Sequence, residues 1–301
     1  MPKVYATGFR AFRKSVMKRH GSERRRFSLF AGGLSGCVDD KADRYVHYLP
    51  APPEGPLLED FDAQFTALLA AAPPVASTIM GLFRPDQVAA LKERGISWFA
   101  TTTTPSEARA AQAAGAEAII AQGAEAGGHR GSFTPEDAPR ATVGTLALVP
   151  AIADAVSVPV IAAGGIGDGR GVAAVLALGA SAAMIGTALL RAPEADINPA
   201  WASALARAQP EDTTLTRAFS GRTARALTNA YTRAADHPAA PPPAPYPVQR
   251  HLTEPMRRKA LDGHDLDHLY ALSGQAAALA RAEPAGTTAT RLWQDALGLL
   301  A

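Results

Sequence analysis

Ala118-Ile119-Ile120-Ala121-Gln122-Gly123-Ala124-Glu125-Ala126-Gly127-Gly128-His129-Arg130-Gly131-Ser132-Phe133 is the stretch around which the rest of the chain is read. Its first four residues form an apolar run bounded by Gly115 and Gly123, the pattern of a buried strand ending in a loop. Four glycines then let the backbone approach a ligand or take positive φ. His129 stands among them, and imidazole is the side chain whose unperturbed pKa suits proton transfer near neutrality. Loops after buried strands are where α/β proteins keep their sites. His129 is therefore the candidate catalytic base, set against the plainer reading of a surface or core histidine.

Outward from this stretch the chain alternates strand and helix, which implies a parallel sheet with right-handed crossovers. Upstream, Leu58 to Ala71 repeats apolar residues at helical spacing, and Val75 to Met80 reads as a strand. Pro85 and Gly95 bracket a helix over Asp86 to Arg94, Ile96 to Thr101 is the next strand, and Pro105 to Ala114 the next helix. Downstream, a polar loop from Ser132 to Thr142 leads to a helix from about Val143 to Ala155, and Pro159 to Ala163 is a strand opening into Gly164-Gly165. Asp168 can cap a helix over Arg170 to Leu178, and Ala182 to Ile185 is the strand before Gly186-Thr187. From Pro193 the spacing turns helical, with helices expected over Pro199 to Ala208 and Thr223 to Ala235 and a proline tract from Pro238 to Pro247. Leu269 to Arg281 and Thr290 to Leu300 read as returning helices.

The 301 residues, 47% of them hydrophobic, suit one barrel of about 250 residues with an added piece. There is no apolar run of about 18 residues, so no membrane-spanning helix is expected. The single cysteine, Cys37, excludes an internal disulfide and fits a cytoplasmic protein, and no ligand spacing points to a metal. Residues 1–26 carry nine Lys or Arg against one acid, while the remainder is mildly acidic. Such a head could be a nucleic-acid or membrane arm or a transit peptide, but it has neither interleaved aromatics nor an amphipathic repeat. It reads as a poorly ordered basic segment, with no nucleic-acid or membrane partner.

Four pieces, Ala121 to Gly131, Pro159 to Ile166, Met184-Ile185-Gly186-Thr187 and Phe219-Ser220-Gly221-Arg222, resemble, in order, the nitronate monooxygenase family, formerly called 2-nitropropane dioxygenases. The resemblance runs from about His47 to the C-terminus. It implies an α/β fold, a (β/α)8 TIM barrel binding FMN, with a small added α-helical domain. Three parts follow: an atypical segment at 1–45, an FMN-binding barrel at 46–190 to which 269–301 returns, and a helical substrate or lid domain at 191–268. The implied reaction is oxidation of an alkyl nitronate by dioxygen to a carbonyl compound and nitrite, and a homodimer is compatible with it.

On the same basis the residues expected to hold FMN are His47, Gln122, Gly127, Gly128, Gly164, Gly165, Met184, Ile185, Gly186, Thr187, Gly274 and Gln275. His47 stands where the family has an Asn that contacts the flavin, and Ser273-Gly274-Gln275 resembles the family's Ala-Gly-Gln turn. Gly164-Gly165 and Met184 to Thr187 follow consecutive strands, where barrels hold phosphate on backbone N–H groups. The plainer reading is a tight strand-to-helix turn. A dinucleotide fingerprint fails at Gly165-Ile166-Gly167, because Arg170 stands where its third glycine belongs. Gln122 can present its amide to the flavin edge or simply be solvated, Thr101 to Thr104 can line the pocket with hydroxyls or Thr104 can cap a helix, and Glu125 and Arg130 read as a local ion pair or as solvent-facing, with attraction of an anionic substrate the other reading of Arg130.

Two other readings stand beside this one. Related barrels share the Gly-Gly-His loop, so an FMN-dependent NAD(P)H reductase of a quinone or enoyl thioester is the first. The second is a catalytically impaired member lacking its first two barrel strands, since residues 1–45 offer no apolar run for a central strand.

Overall fold

The computed structural model describes residues 5–6 and 60–301. His47, Cys37 and the basic residues of 1–26 lie outside the described residues. A six-stranded sheet is built from β1 (Tyr5–Ala6), β2 (Val75–Thr78), β3 (Ser97–Thr102), β4 (Ala118–Gln122), β6 (Val160–Ala163) and β7 (Ala182–Ile185). Its order is β1-β7-β6-β4-β3-β2 and every neighbouring pair is parallel. Helix α1 (Phe61–Ala71) precedes β2. Helices α2 (Pro85–Glu93), α3 (Pro105–Ala113), α4 (Thr145–Ala153) and α5 (Gly169–Ala177) make the crossovers, giving the curled parallel wall of a (β/α)8 barrel.

The alternation of side chains along each strand sorts the wall into two faces. Trp98, Ala100, Ile119, Ala121, Val160, Ala162, Ala183 and Ile185 join one large core with the helices, including Leu91, Leu148, Ile152 and Val172. Ala118, Ile120, Ile161, Ala163 and Ala182 form a second, smaller cluster with Phe99 and Met184 on the inner face. Burial on both faces is why these strands are continuous apolar runs and not alternating ones. The expected caps are in place: the Thr104 hydroxyl accepts the Glu107 N–H at 3.2 Å and the Asp168 carboxylate accepts the Gly171 N–H at 3.1 Å.

Three expectations change. Tyr5–Ala6 pairs in parallel with Met184 and Ile185, so residues 1–45 do supply a strand, too short to leave an apolar run in the sequence. Thr223 to Ala235 is not one helix but β9 (Ala224–Leu227) followed by helix α7 (Ala230–Ala235). Intrinsic helix preferences of a few tenths of a kcal/mol per residue are overridden there by pairing with β8 (Thr213–Thr216) and with β5 (Gly128–His129). The segment expected to be purely helical therefore holds two strands of an antiparallel sheet, beside α6 (Pro199–Leu205), α8 (Val248–Leu252) and α9 (Glu254–Asp262).

Leu269 to Arg281 is likewise irregular, with a short 3-10 turn at Ala277–Leu279. Its backbone donors go elsewhere, Gly274 N–H to the Thr187 hydroxyl at 2.9 Å and Gln275 N–H to the Glu125 carbonyl at 3.0 Å. The returning helix is α10 (Ala285–Leu300), which packs on α5.

Candidate active site

A cavity of about 210 Å³ opens at the C-terminal ends of the parallel strands. The inner face contributes Thr101, Ile120, Gln122, Ala163 and Met184, and the loops add Gly127, Gly164, Gly165, Gly186, Thr187 and Gly274. Of the residues expected to bind the cofactor, Gln122, Gly127, Gly164, Gly165, Met184, Ile185, Gly186, Thr187 and Gly274 thus line one space. Gly128 and Gln275 do not line it, and His47 is outside the described residues. Glu125, Ala126, Ile166 and Ala276 also line the cavity, although no motif marks them as ligand-binding.

The donor set suits a flavin phosphate. Gly164 and Gly165 take φ of 107° and 71°, the left-handed side that favours glycine. A Cβ on Gly164 would lie 2.8 Å from the Ala126 nitrogen, so that turn is closed to side chains. The N–H groups of Gly164, Gly165 and Thr187 donate to no other described residue, and Thr187 opens the short 3-10 helix Thr187–Leu189. Unspent amides at a helix start are what an anion needs.

Glu125 is half-buried at the cavity wall and is not paired with Arg130. Its carboxylate accepts the Thr145 N–H at 2.9 and 3.0 Å and the Thr145 hydroxyl at 2.9 Å, capping α4 where Gly144 has no side chain to do so. The Glu125 carbonyl meanwhile holds the Gln275 turn, so this one residue ties three loops of the cavity together.

Arg130 is fully buried and donates to the Gln122 carbonyl, the Gln122 amide oxygen, the Gly123 carbonyl and the Ala141 carbonyl, at 3.2, 3.1, 2.6 and 2.9 Å. Burial, and then the charge of Arg225, bring its pKa down to about 10 against the pull of Glu107 and Glu125, which leaves it cationic at neutrality. Gln122 accepts the Gly131 N–H at 2.8 Å and donates to the His129 carbonyl at 2.9 Å. Its amide is thus largely spent on holding the His129 loop, with one N–H left for the cavity. Arg130→Met is expected to cost about 3 kcal/mol of stability, because it strips charged donors from buried carbonyls. Urea unfolding of the two proteins measures this.

His129 does not line the cavity but begins two residues beyond Gly127, on β5. Its Nε2 lies 2.8 Å from the Ser220 hydroxyl oxygen and 3.4 Å from that of Tyr270. Tyr246 and Tyr270 set their rings edge-on to it, at centroid distances of 6.4 and 6.1 Å, and Tyr270 stacks on Phe219 at 4.5 Å. Burial, with Arg250, Arg222 and Arg257 nearby, lowers the His129 pKa to about 4, so the imidazole is neutral and able to accept a proton. These neighbours come from 220–270, too far along the chain for local spacing to join them to His129. The Phe219 to Arg222 match was the one signal that pointed there.

The arrangement has relatives. The chain is 44% identical to a nitronate monooxygenase of Pseudomonas aeruginosa over 77% of its own length and 66% of that protein's. It is 42% identical to one from Paraburkholderia phytofirmans over 84% and 66%. The chain thus spans just under two thirds of the length of these curated relatives. The structure of nitroalkane oxidase from Streptomyces ansochromogenes superposes with a TM-score of 0.76 at 41% identity, covering 83% of this chain and 72% of that one. FabK from Thermotoga maritima superposes with a TM-score of 0.66 at 28% identity, over 86% and 81%. The family model for nitronate monooxygenase matches residues 38–295, and with the glycine-lined cavity at the strand ends and the neutral histidine beside it, this places the chain in the nitronate monooxygenase family.

Proposed function

We propose that the protein is an FMN-dependent nitronate monooxygenase that oxidises alkyl nitronates with dioxygen to carbonyl compounds and nitrite. The observation that carries this is the cavity walled by Gly127, Gly164, Gly165 and Gly274 at the strand ends, with neutral His129 on the loop that leaves it. Family membership supports a flavin. FMN in particular is supported by the free Gly164, Gly165 and Thr187 amides, which suit one terminal phosphate.

Bound FMN supplies the electron-transfer chemistry between nitronate and dioxygen. The chain's own residues do the rest. Gly164, Gly165 and Thr187 would hold the phosphate, and Ile120, Ala163 and Met184 would offer the flavin apolar contacts. Gln122, with one N–H to spare, fixes the His129 loop against the cavity. His129 removes the α-proton of a neutral nitroalkane, or donates to the oxygens of a nitronate once protonated. The charges of Arg250 and Arg222 oppose an imidazolium at His129, an opposition that a negative substrate would relieve.

Purified protein is expected to be yellow and, on heating, to release FMN and not FAD, identified by chromatography of the supernatant. It should consume dioxygen and form nitrite when given an alkyl nitronate. Binding of NAD without any flavin would overturn the reading.

A further inference from the structure

We infer that Ser220 is a positioning residue that selects the tautomer of His129, keeping the ring proton on Nε2 and leaving Nδ1 as the basic atom. This rests on the reading of His129 as the base and deepens it. Ser220 is buried, on the turn that follows β8, and its hydroxyl reaches His129 on β5.

The selection follows from counting protons. A serine hydroxyl has one proton to give and two lone pairs. Beside the Tyr270 hydroxyl, which has a proton of its own to give to Ser220, two groups stand where the serine proton could go: the Arg222 carbonyl at 3.1 Å and His129 Nε2 at 2.8 Å. The carbonyl can only accept, it belongs to a buried residue, and it receives no other donor among the described residues. Nε2 can accept or donate, depending on the tautomer. If Ser220 gave its proton to Nε2, a buried carbonyl would be left without a partner, which is the costly outcome. If Ser220 gives it to Arg222, that carbonyl and Nε2 are both satisfied, provided Nε2 carries a hydrogen and donates it to Oγ, and the Tyr270 hydroxyl can turn its own proton to Ser220. The neutral ring that burial enforces then has its lone pair on Nδ1, which makes no hydrogen bond among the described residues.

The proton transfer this allows is balanced within the site. The α-C–H bond of a neutral nitroalkane breaks, its proton passes to Nδ1, and its electron pair moves into the nitro group to give the nitronate. His129 becomes an imidazolium that keeps its Nε2–H on Ser220, so the ring stays oriented throughout. Nothing is oxidised in this step. Ser220 does not line the cavity and acts only through His129.

The test is a two-bond ¹H–¹⁵N correlation spectrum of the ¹⁵N-labelled, flavin-loaded protein near neutral pH, with the His129 signals assigned by their loss in His129→Asn. The wild-type protein should show the Nε2–H tautomer at His129. Ser220→Ala should show a mixture or the Nδ1–H form, and its kcat should fall roughly ten- to a hundredfold with a neutral nitroalkane, more than with preformed nitronate. Ser220→Thr, which keeps the hydroxyl, should restore the wild-type pattern. A wild-type Nδ1–H signal overturns the inference without any variant having to fold, and so does an unchanged pattern in Ser220→Ala. If His129→Asn turned over neutral nitroalkanes at the wild-type rate, the base assignment would fail and take this inference with it. If that variant is impaired and the Ser220→Ala spectrum is wild type, the Ser220 inference alone is wrong.

Discussion

His129→Asn is expected to lower kcat on a neutral nitroalkane by about 10²- to 10⁴-fold, the usual scale of a lost general base. The loss with preformed nitronate should be smaller, because no C–H proton then has to be removed. The variant should still bind flavin, since His129 lies outside the cavity wall and Asn is close to it in length. The pH dependence has a definite sign. Burial and three arginines lower the His129 pKa to about 4, below the unfolded value near 6.5. The imidazole is therefore already deprotonated from pH 5 to 8, and, with His129 as the proposed base, kcat/KM for a neutral nitroalkane should not rise through that range. The same shift couples to folding: the stability it contributes is present above about pH 6.5 and is lost as pH falls towards 4, where the buried ring must be charged. Equal losses on the two substrates would instead give His129 a binding role.

Gly127→Ala is expected to cost the cofactor. A Cβ at Gly127 would sit 2.5 Å from the Gly274 nitrogen and 2.6 Å from the Ser273 carbonyl carbon, both backbone atoms that cannot swing aside. Overpacking of this kind costs about 1–3 kcal/mol. Spread between the His129 loop and the 273–275 turn, it opens the cavity on the side held by Thr187 and Glu125. Flavin affinity should fall roughly ten- to a hundredfold, measured by quenching of flavin fluorescence. Gly286→Ala is the control, because a Cβ there meets nothing within 4 Å and α10 gains helix propensity. Undiminished flavin binding by Gly127→Ala would remove the Gly127–Gly274 contact from the site.

Much of this site was legible because its determinants are local. The buried strand before Gln122, the caps at Thr104 and Asp168, and the glycine turn at Gly164-Gly165 each follow from a few adjacent residues. The parallel wall followed from the alternation of such pieces. What escaped were partnerships made over distance. Glu125 and Arg130 read as a local pair, yet one caps a helix that begins at Thr145 and the other is spent on buried carbonyls. β9 carries alanines and an arginine that favour helix, and only its pairing with β5 and β8 makes it a strand. The turn through Gly274 gives up a helical ladder to bond Thr187 and Glu125, partners 87 and about 150 positions away. Periodicity reports the face an element buries, not the loop that will claim its backbone.

The most direct measurement is anaerobic mixing of the flavin-loaded protein with an alkyl nitronate in one experiment and with NAD(P)H in another, following the visible absorbance of the flavin. The expected result is a rapid spectral change with nitronate and none, or only a slow one, with NAD(P)H; readmitting air should restore the oxidised spectrum and release nitrite. Rapid bleaching by NAD(P)H, with a spectrum indifferent to nitronate, would contradict the assignment and make the protein a nicotinamide-dependent reductase on the same barrel.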